Sequence, residues 1–424
     1  MHRSALLVVT LLLFAVELRA EEAAPAVEVS LDPFDLRGPT FRFWGGELHL
    51  GGRLAADLVK YGSDNVKSDG LRWADARLTI EGLFDDFSFL VEPDLVGTHT
   101  RRNLWEAWAA YEFCPEFLIR VGQFRIAPTS DFATRGEVLP AVGYGFPGRL
   151  AGRHDVGLGI EGELFGGRLF YSAAATAGEG FAVSGEKTGG SLLGLRLLAH
   201  PFGGADSCFP DLLRGLYLGG AYFSLSEFDD ALLLETPLDN KVFRTRKLGG
   251  DSGYWLAFEA GGSWGPVRIG YEHLVGAANG VPVEEGEEDM DGMLAFGWQV
   301  AWNVTGEEHR SSRGAWASPD PATKADWAAG FPGRLELALS WSNGDMDRYL
   351  ILNGYAPEGV DSDETTVWQL MLSWYPNPRT RIGIGWVRSE AQRELGSIGG
   401  TNQSNAFGGG DSDSSFVLRI EHGF

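Results

Sequence analysis

The sequence predicts an all-β protein: a transmembrane antiparallel β-barrel of about 16 strands, preceded by an export signal. Three observations predict it. Apolar and polar residues alternate in sixteen short segments, the connections between them are short and long by turns, and residues 413–424 form a two-faced strand with an aromatic end. In that last segment Phe416, Leu418, Ile420, His422 and Phe424 share one face, while Val417, Arg419 and Glu421 share the other. One face suits lipid and the other a watery lumen. Taken alone, the segment fits a half-buried strand of a soluble β-sandwich equally well.

Residues 1–20 carry Arg3, an apolar stretch from Ala5 to Val16, and small residues at Ala20, Ala23 and Ala24 ahead. This is the pattern of a signal peptide, with cleavage expected after Ala20 or Ala24. The stretch is too short for a spanning helix, and no other apolar run reaches 18 residues. Any membrane association of the mature chain therefore falls to strands or to the surface. Residues 21–46 read as an N-terminal periplasmic extension and 47–424 as the barrel.

Without its first twenty residues the chain has 33 basic against 57 acidic side chains, a formal charge near −24. That balance excludes nucleic acid as a partner. Glycine (59) and tryptophan (14) are abundant and fall in short alternating segments, with almost no helical periodicity. The two cysteines, Cys114 and Cys208, exclude a disulfide-stapled scaffold, and neither has metal-site spacing. They fall on one rim of the barrel, where both a disulfide and two free thiols are open. No cofactor is implied.

Alternation and turn signals place strands at 47–59, 72–82, 85–93, 103–113, 117–124, 154–164, 168–175 and 191–199. Further strands fall at 214–225, 251–261, 266–275, 291–304, 331–341, 365–375, 380–390 and 413–424. Short links occur at 83–86, 113–116, 165–168, 261–266 and 376–378. Long polar ones occur at 125–153, 176–190, 226–250, 276–290, 343–364 and 389–412. Short turns at one rim and long loops at the other are the habit of membrane barrels. One link breaks the pattern: the long stretch from Thr305 to Gly330 falls on the short-turn rim.

The second strand shows the two faces clearly. Ala74, Ala76, Leu78 and Ile80 point one way, and Asp75, Arg77, Thr79 and Glu81 the other. The charged set must face the lumen, because a mid-membrane charge on the lipid face costs up to about 2–4 kcal/mol. Trp73, Trp105, Trp108, Tyr111, Trp374, Tyr375 and Trp386 cluster toward strand ends, and those of them that face outward read as interfacial anchors.

Several segments together resemble the phosphate-selective porin O and P family of Gram-negative outer membranes. They are Arg120 to Ser130 (RVGQFRIAPTS), Asn303-Val304-Thr305-Gly306-Glu307, Gly333 to Ser340 (GRLELALS), Trp374-Tyr375-Pro376-Asn377-Pro378, and Leu418-Arg419-Ile420 followed by Phe424. Arg334 and Leu335 depart from the family's usual alanine and tryptophan. The resemblance implies a sixteen-stranded homotrimeric channel of the outer membrane, with a loop folded inward and passive diffusion of small anions such as phosphate or pyrophosphate. It also implies that the barrel assembly machinery reads Phe424. The strongly acidic composition departs from the basic pores of that family and leaves a general or cation-preferring porin, or an envelope-binding barrel with little conductance, as the alternatives.

The expected constriction loop is 125–153, which holds Arg125, Arg135, Arg149 and Arg153 against Asp131, Glu137 and Asp155. It also carries the apolar run Tyr144 to Phe146, which a freely solvated loop does not need. Arginine suits stepwise passage of an anion, since its planar fork donates paired hydrogen bonds and stays charged. Alternation adds Arg77, Arg120, Arg196, Arg268 and Arg419 from the wall, interspersed with Asp75, Glu81, Glu92, Glu106, Glu336 and Glu421. The same residues can equally be ion pairs that brace the wall. The acidic runs at Glu284 to Asp291 and Asp361 to Glu364 read as loop charge, available to divalent cations and outer-membrane lipid headgroups. No catalytic constellation is present: Gly157 to Gly162 lacks the strand-to-helix transition of a phosphate loop.

Overall fold

The computed structural model of the protein describes residues 28–30, 39–43, 45–62, 68–96, 104–178, 181–182, 190–203, 209–227, 233–239, 241–244, 249–283, 286–312, 314–317, 333–345, 364–391 and 412–424. The expected export signal, Glu284, Glu285, Asp361, Asp363 and Cys208 lie outside these residues.

Sixteen strands form the wall. They are β1 (Gly46–Lys60), β2 (Gly70–Phe84), β3 (Phe87–Glu92), β4 (Glu106–Cys114), β5 (Phe117–Ile126), β6 (Arg153–Leu164), β7 (Leu169–Thr176) and β8 (Leu192–Ala199). The second half supplies β9 (Leu216–Leu225), β10 (Ser252–Trp264), β11 (Val267–Val283), β12 (Gly286–Asn303), β13 (Arg334–Asp345), β14 (Glu364–Asn377), β15 (Thr380–Ala391) and β16 (Ser412–Gly423). Each predicted segment is found. Every strand pairs antiparallel with the next, and β16 pairs with β1 from Phe416↔Lys60 to Gly423↔Arg53. Closure leaves no sheet edge unsatisfied, the condition for backbone to cross hydrocarbon as strands.

The outer surface is apolar. Leu50, Leu54 and Leu58 of β1, Leu193, Leu195 and Leu197 of β8, and Phe416, Leu418 and Ile420 of β16 are all exposed. The residues between them are turned inward, among them Asp57, Arg196, Arg419 and Glu421, all buried. This is the two-faced pattern of a membrane-spanning barrel with a polar interior.

Three local features differ from the sequence expectation. First, the β1–β2 ladder shifts register: Ala55 pairs with Asp75 and Ala56 with Trp73, leaving Ala74 as an extra residue. A bulge of this kind reverses the phase of the strand beyond it. Trp73 is therefore turned out, 53 % exposed, and Arg72 is turned in toward Asp57. Second, the stretch 276–290, expected as a loop, is largely strand, because β11 and β12 continue pairing to Val283↔Gly286. Ala277, Ala278, Val281, Met290 and Met293 are fully buried there, so an apolar interior persists beyond the expected rim and holds the strands together. Third, Thr40–Phe43 of the expected periplasmic extension pairs with the start of β1, and Glu28–Ser30 pairs with it in turn.

The rims follow the expected asymmetry. Two-residue links such as Asp85-Asp86 and Gly265-Pro266 lie on one side, with Asp85 and Gly265 at positive φ. Long connections lie on the other. The long link after β12 turns back as a hairpin of Arg310–Ser312 and Ala315–Ala317. Its Trp316 is buried against Tyr217 and beneath the Arg268 guanidinium, at 5.7 and 4.3 Å. Both are lumenal side chains of the wall, so this link occupies interior space, which explains its length on the short-turn rim.

Candidate channel constriction

The connection from β5 to β6 packs inside the barrel. Its first turn of helix, α1 (Ser130–Ala133), is capped by Thr129, whose hydroxyl accepts from Phe132 N. Its second, α2 (Phe146–Ala151), begins with Pro147 near the N-terminus, where a missing N–H is harmless, and is buried throughout. Phe132 joins the two: its ring sits 5.2 Å from that of Tyr144, and a Cβ on Gly152 would stand 2.4 Å from it. Leu139, Ala141, Val142 and Phe146 are also buried. The apolar run that a solvated loop has no use for thus has an interior to fill.

Wall side chains hold the segment along its length. From β10, Glu259 accepts from Ser130 N at 2.8 Å; from β8, Arg196 donates to Ser130 Oγ at 2.8 Å. From β11, Arg268 pairs with Asp131 at 3.0 Å. Across the lumen, Gln369 of β14 exchanges hydrogen bonds with Gly143 at 3.1 and 3.3 Å. Arg381 of β15 donates to the carbonyls of Leu139 and Pro140 at 2.9 and 3.1 Å, and Arg419 of β16 to that of Val142 at 3.0 Å. Each of these contacts is charge-assisted or paired, and together they fix the path of the chain through the barrel.

Around this segment, cavities of about 210, 350 and 460 Å³ lie among the described residues of the lumen. Each has room for a small solute. The 210 Å³ cavity lies on the short-turn side, bordered by Arg379 and Phe424, and the 460 Å³ cavity on the long-loop side, bordered by Arg72 and Asp239. Arg53 and Arg77 line both, so the way between them passes these two side chains.

The charges there are tightly interleaved. Arg53 contacts Asp75, Glu137 and Glu421 at 2.8, 3.3 and 3.0 Å. Arg77 pairs with Asp75 and lies 4.7 Å from the Trp105 ring centroid. Arg135 of the loop reaches Glu92 at 2.6 Å and Glu137 at 3.7 Å, and remains 45 % exposed. Burial raises the Glu137 carboxyl, but Arg53, Arg135 and Arg77 outweigh it and hold the group below its ordinary value. At Asp131 burial wins: with Glu259 adding to it and Arg268 opposing, the carboxyl is held above its ordinary value.

The candidate arginines occupy distinct places. Arg77 and Arg135 border the narrow passage, and Arg125 lines the 350 and 460 Å³ cavities while donating to the carbonyls of Phe132, Ala133 and Thr134. Arg120 lines the 350 Å³ cavity with Glu161 at 2.9 Å. Arg149 faces the 460 Å³ cavity and pairs with Asp239 at 3.3 Å. Arg196 is held by Glu259, Ser130 and the carbonyl of Gly314. Arg153 is buried at the loop end of β6, away from all three cavities.

Arg53, Arg72 and Arg381 are among the lumen arginines that the sequence reading did not place there. Arg53 and Arg381 lie in phase with the inward faces of β1 and β15, opposite Leu54 and Ile382, so plain alternation finds them. Arg72 is inward only because of the bulge at Ala74.

A closed sixteen-stranded barrel with an apolar belt and a loop-narrowed, charged interior is the fold of the outer-membrane porins. No protein-family model matches the chain, and no curated protein matches it. In structure the chain is similar to an anion-selective porin from Comamonas acidovorans, with 12 % identity and a TM-score of 0.52 over 89 % of this chain and 100 % of that one. It is similar to OmpT, an outer membrane protein of Vibrio cholerae, with 13 % identity and a TM-score of 0.51 over 90 % and 98 %. It is also similar to the outer membrane channel DcaP of Acinetobacter baumannii, with 15 % identity and a TM-score of 0.50 over 90 % and 98 %. At these identities the likeness is one of fold.

Proposed function

We propose that the protein is an outer-membrane porin through which small anions diffuse passively, past a constriction formed by residues 125–153. One observation carries the charge preference. The whole chain is strongly acidic, with a net charge of −23, yet the 460 Å³ cavity is bordered by six arginines and four carboxylates. The sign of the interior opposes that of the chain, and a solute in the lumen meets the interior at closest range. The structures of an anion-selective porin and of an outer membrane channel are among those the fold matches.

A second reading, a porin with weak preference and no dedicated phosphate site, is favoured by the pairing at the passage. Arg53, Arg77 and Arg135 each hold carboxylate partners, and a phosphate would have to displace them. We infer a homotrimer exported by residues 1–20, with Phe424 read during assembly. An OmpT of similar fold is described in a trimer form.

Planar bilayers under a KCl gradient test the function. Ohmic conductance with an anion-directed reversal potential is expected, and block by added phosphate would favour a phosphate channel over the weaker preference. A cation-directed potential would leave a general porin, and silence in the bilayer would leave an envelope-binding barrel.

A further inference from the structure

We infer that a recess in the wall of β4 to β8 binds small monoanions with a planar apolar body, of which an aromatic monocarboxylate is the simplest. The inference rests on the anion-channel reading and names part of its solute class. The recess is the 350 Å³ cavity, which lies beside the passage at Arg53 and Arg77 and shares Arg135 with the short-turn cavity.

Its floor is built by seating rings on glycines. A Cβ at Gly159 would stand 3.0 Å from Phe124 Cζ, and one at Gly194 would stand 2.9 Å from Phe223 Cδ1. Ala174 lies between them in the ladder, opposite both glycines, and its methyl keeps the space between the rings low. Absent side chains at 159 and 194 therefore let two aromatic rings sink to the level of the wall. Trp108 extends the same apolar surface at its edge.

One cation stands over that edge. The Arg120 guanidinium is 4.5 Å from the Trp108 ring centroid and 5.8 Å from that of Phe124. Its Nη2 donates to Glu161 at 2.9 Å, while its Nε is buried with no hydrogen-bond partner. A carboxylate arriving there meets the accessible side of the guanidinium, whose side chain is 21 % exposed, and an attached ring covers the floor, gaining both ion pairing and aromatic contact. Phosphate gains only the first. Arg120, Arg125, Arg135 and Arg196 border the same space against Glu81, Glu106 and Glu161, a margin of one positive charge, which one carboxylate neutralises.

The experiment is block of single-channel KCl current by benzoate, with acetate and phosphate as comparisons. Benzoate is expected to block at a concentration about tenfold below acetate. Trp108→Ala should bring the two together, and Ala174→Phe, which fills the recess from its floor, should do the same by a different route. Folding of each variant is read from heat-modifiable migration. Anion-directed conductance with equal block by benzoate and acetate would overturn this inference and leave the channel reading standing. Cation-directed conductance would overturn both. Selective benzoate block that survives both substitutions would remove the site from the recess.

Discussion

Gly52 and Phe424 exchange main-chain hydrogen bonds across the barrel seam. Gly52 N donates to Phe424 O at 2.9 Å and Phe424 N to Gly52 O at 3.0 Å. The Phe424 ring also fills the place where a side chain at position 52 would begin: a Cβ on Gly52 would stand 2.4 Å from its Cζ. The terminal aromatic of β16 is thus seated on β1, and the seam ends with a ring over a glycine.

Gly52→Val should displace that ring and destabilise the closed barrel by about 1–3 kcal/mol. Deleting Phe424 should lower the yield of heat-modifiable barrel in outer-membrane fractions more than it alters the conductance of the barrels that form. Wild-type yield from the deletion would count against the seam as the assembly signal.

Arg381→Ala should loosen the constriction without opening the wall. It removes two charged donors from the carbonyls of Leu139 and Pro140, each worth about 1.5–3 kcal/mol. Higher mean single-channel conductance and faster proteolysis between residues 135 and 145 are the expected readouts. An unchanged conductance would mean that the segment does not set the aperture.

Arg135→Glu should move the reversal potential in the cation direction, by about twofold to fivefold in permeability ratio. The substitution places a third carboxylate beside Glu92 and Glu137, where the structure has a half-exposed guanidinium. If the potential stays where it was, the passage at Arg53 and Arg77 is not the selective one.

Asp131 gives the docked loop a dependence on pH. Its carboxyl is raised above the ordinary 3.8, so the docked state binds the proton more tightly than the released one. Stability from this group is fully present below the ordinary value and is lost as pH rises through the raised value. The groups facing it are Arg268, Glu259 and Glu272. Glu137 acts with opposite sign in a more acidic range: its carboxyl is lowered, so its contribution is lost as pH falls through that lowered value. Conductance should therefore rise in the wild type as pH increases through the raised value of Asp131. Asp131→Asn should flatten that rise, and an equal rise in the variant would assign it to another group.

The wall was legible because alternation is a local property. A strand such as 72–82 declares its faces within ten residues, and Arg77, Arg120 and Arg196 follow from it. Arg53 and Arg381 obey the same rule and could have been read the same way. Arg72 could not, because nothing in the residues around Ala74 announces that β1 will skip it. The ends of β11 and β12 are hidden from local reading for a related reason. Glu284 to Asp291 suggests loop by composition, while the buried Ala278, Val281 and Met290 that keep the strands paired are spread over two segments.

The interior partners of residues 127–152 lie far along the chain. Ser130 meets Glu259, Leu139 meets Arg381, and Val142 meets Arg419, at separations of 129, 242 and 277 residues. Contacts so distant form late, since loop-closure entropy opposes them until the intervening strands are in register. The aperture is therefore a property of the finished barrel alone. A barrel interrupted before β15 and β16 close would lack the anchors for half of its inner segment, and would be a wider and leakier hole than the protein it was becoming.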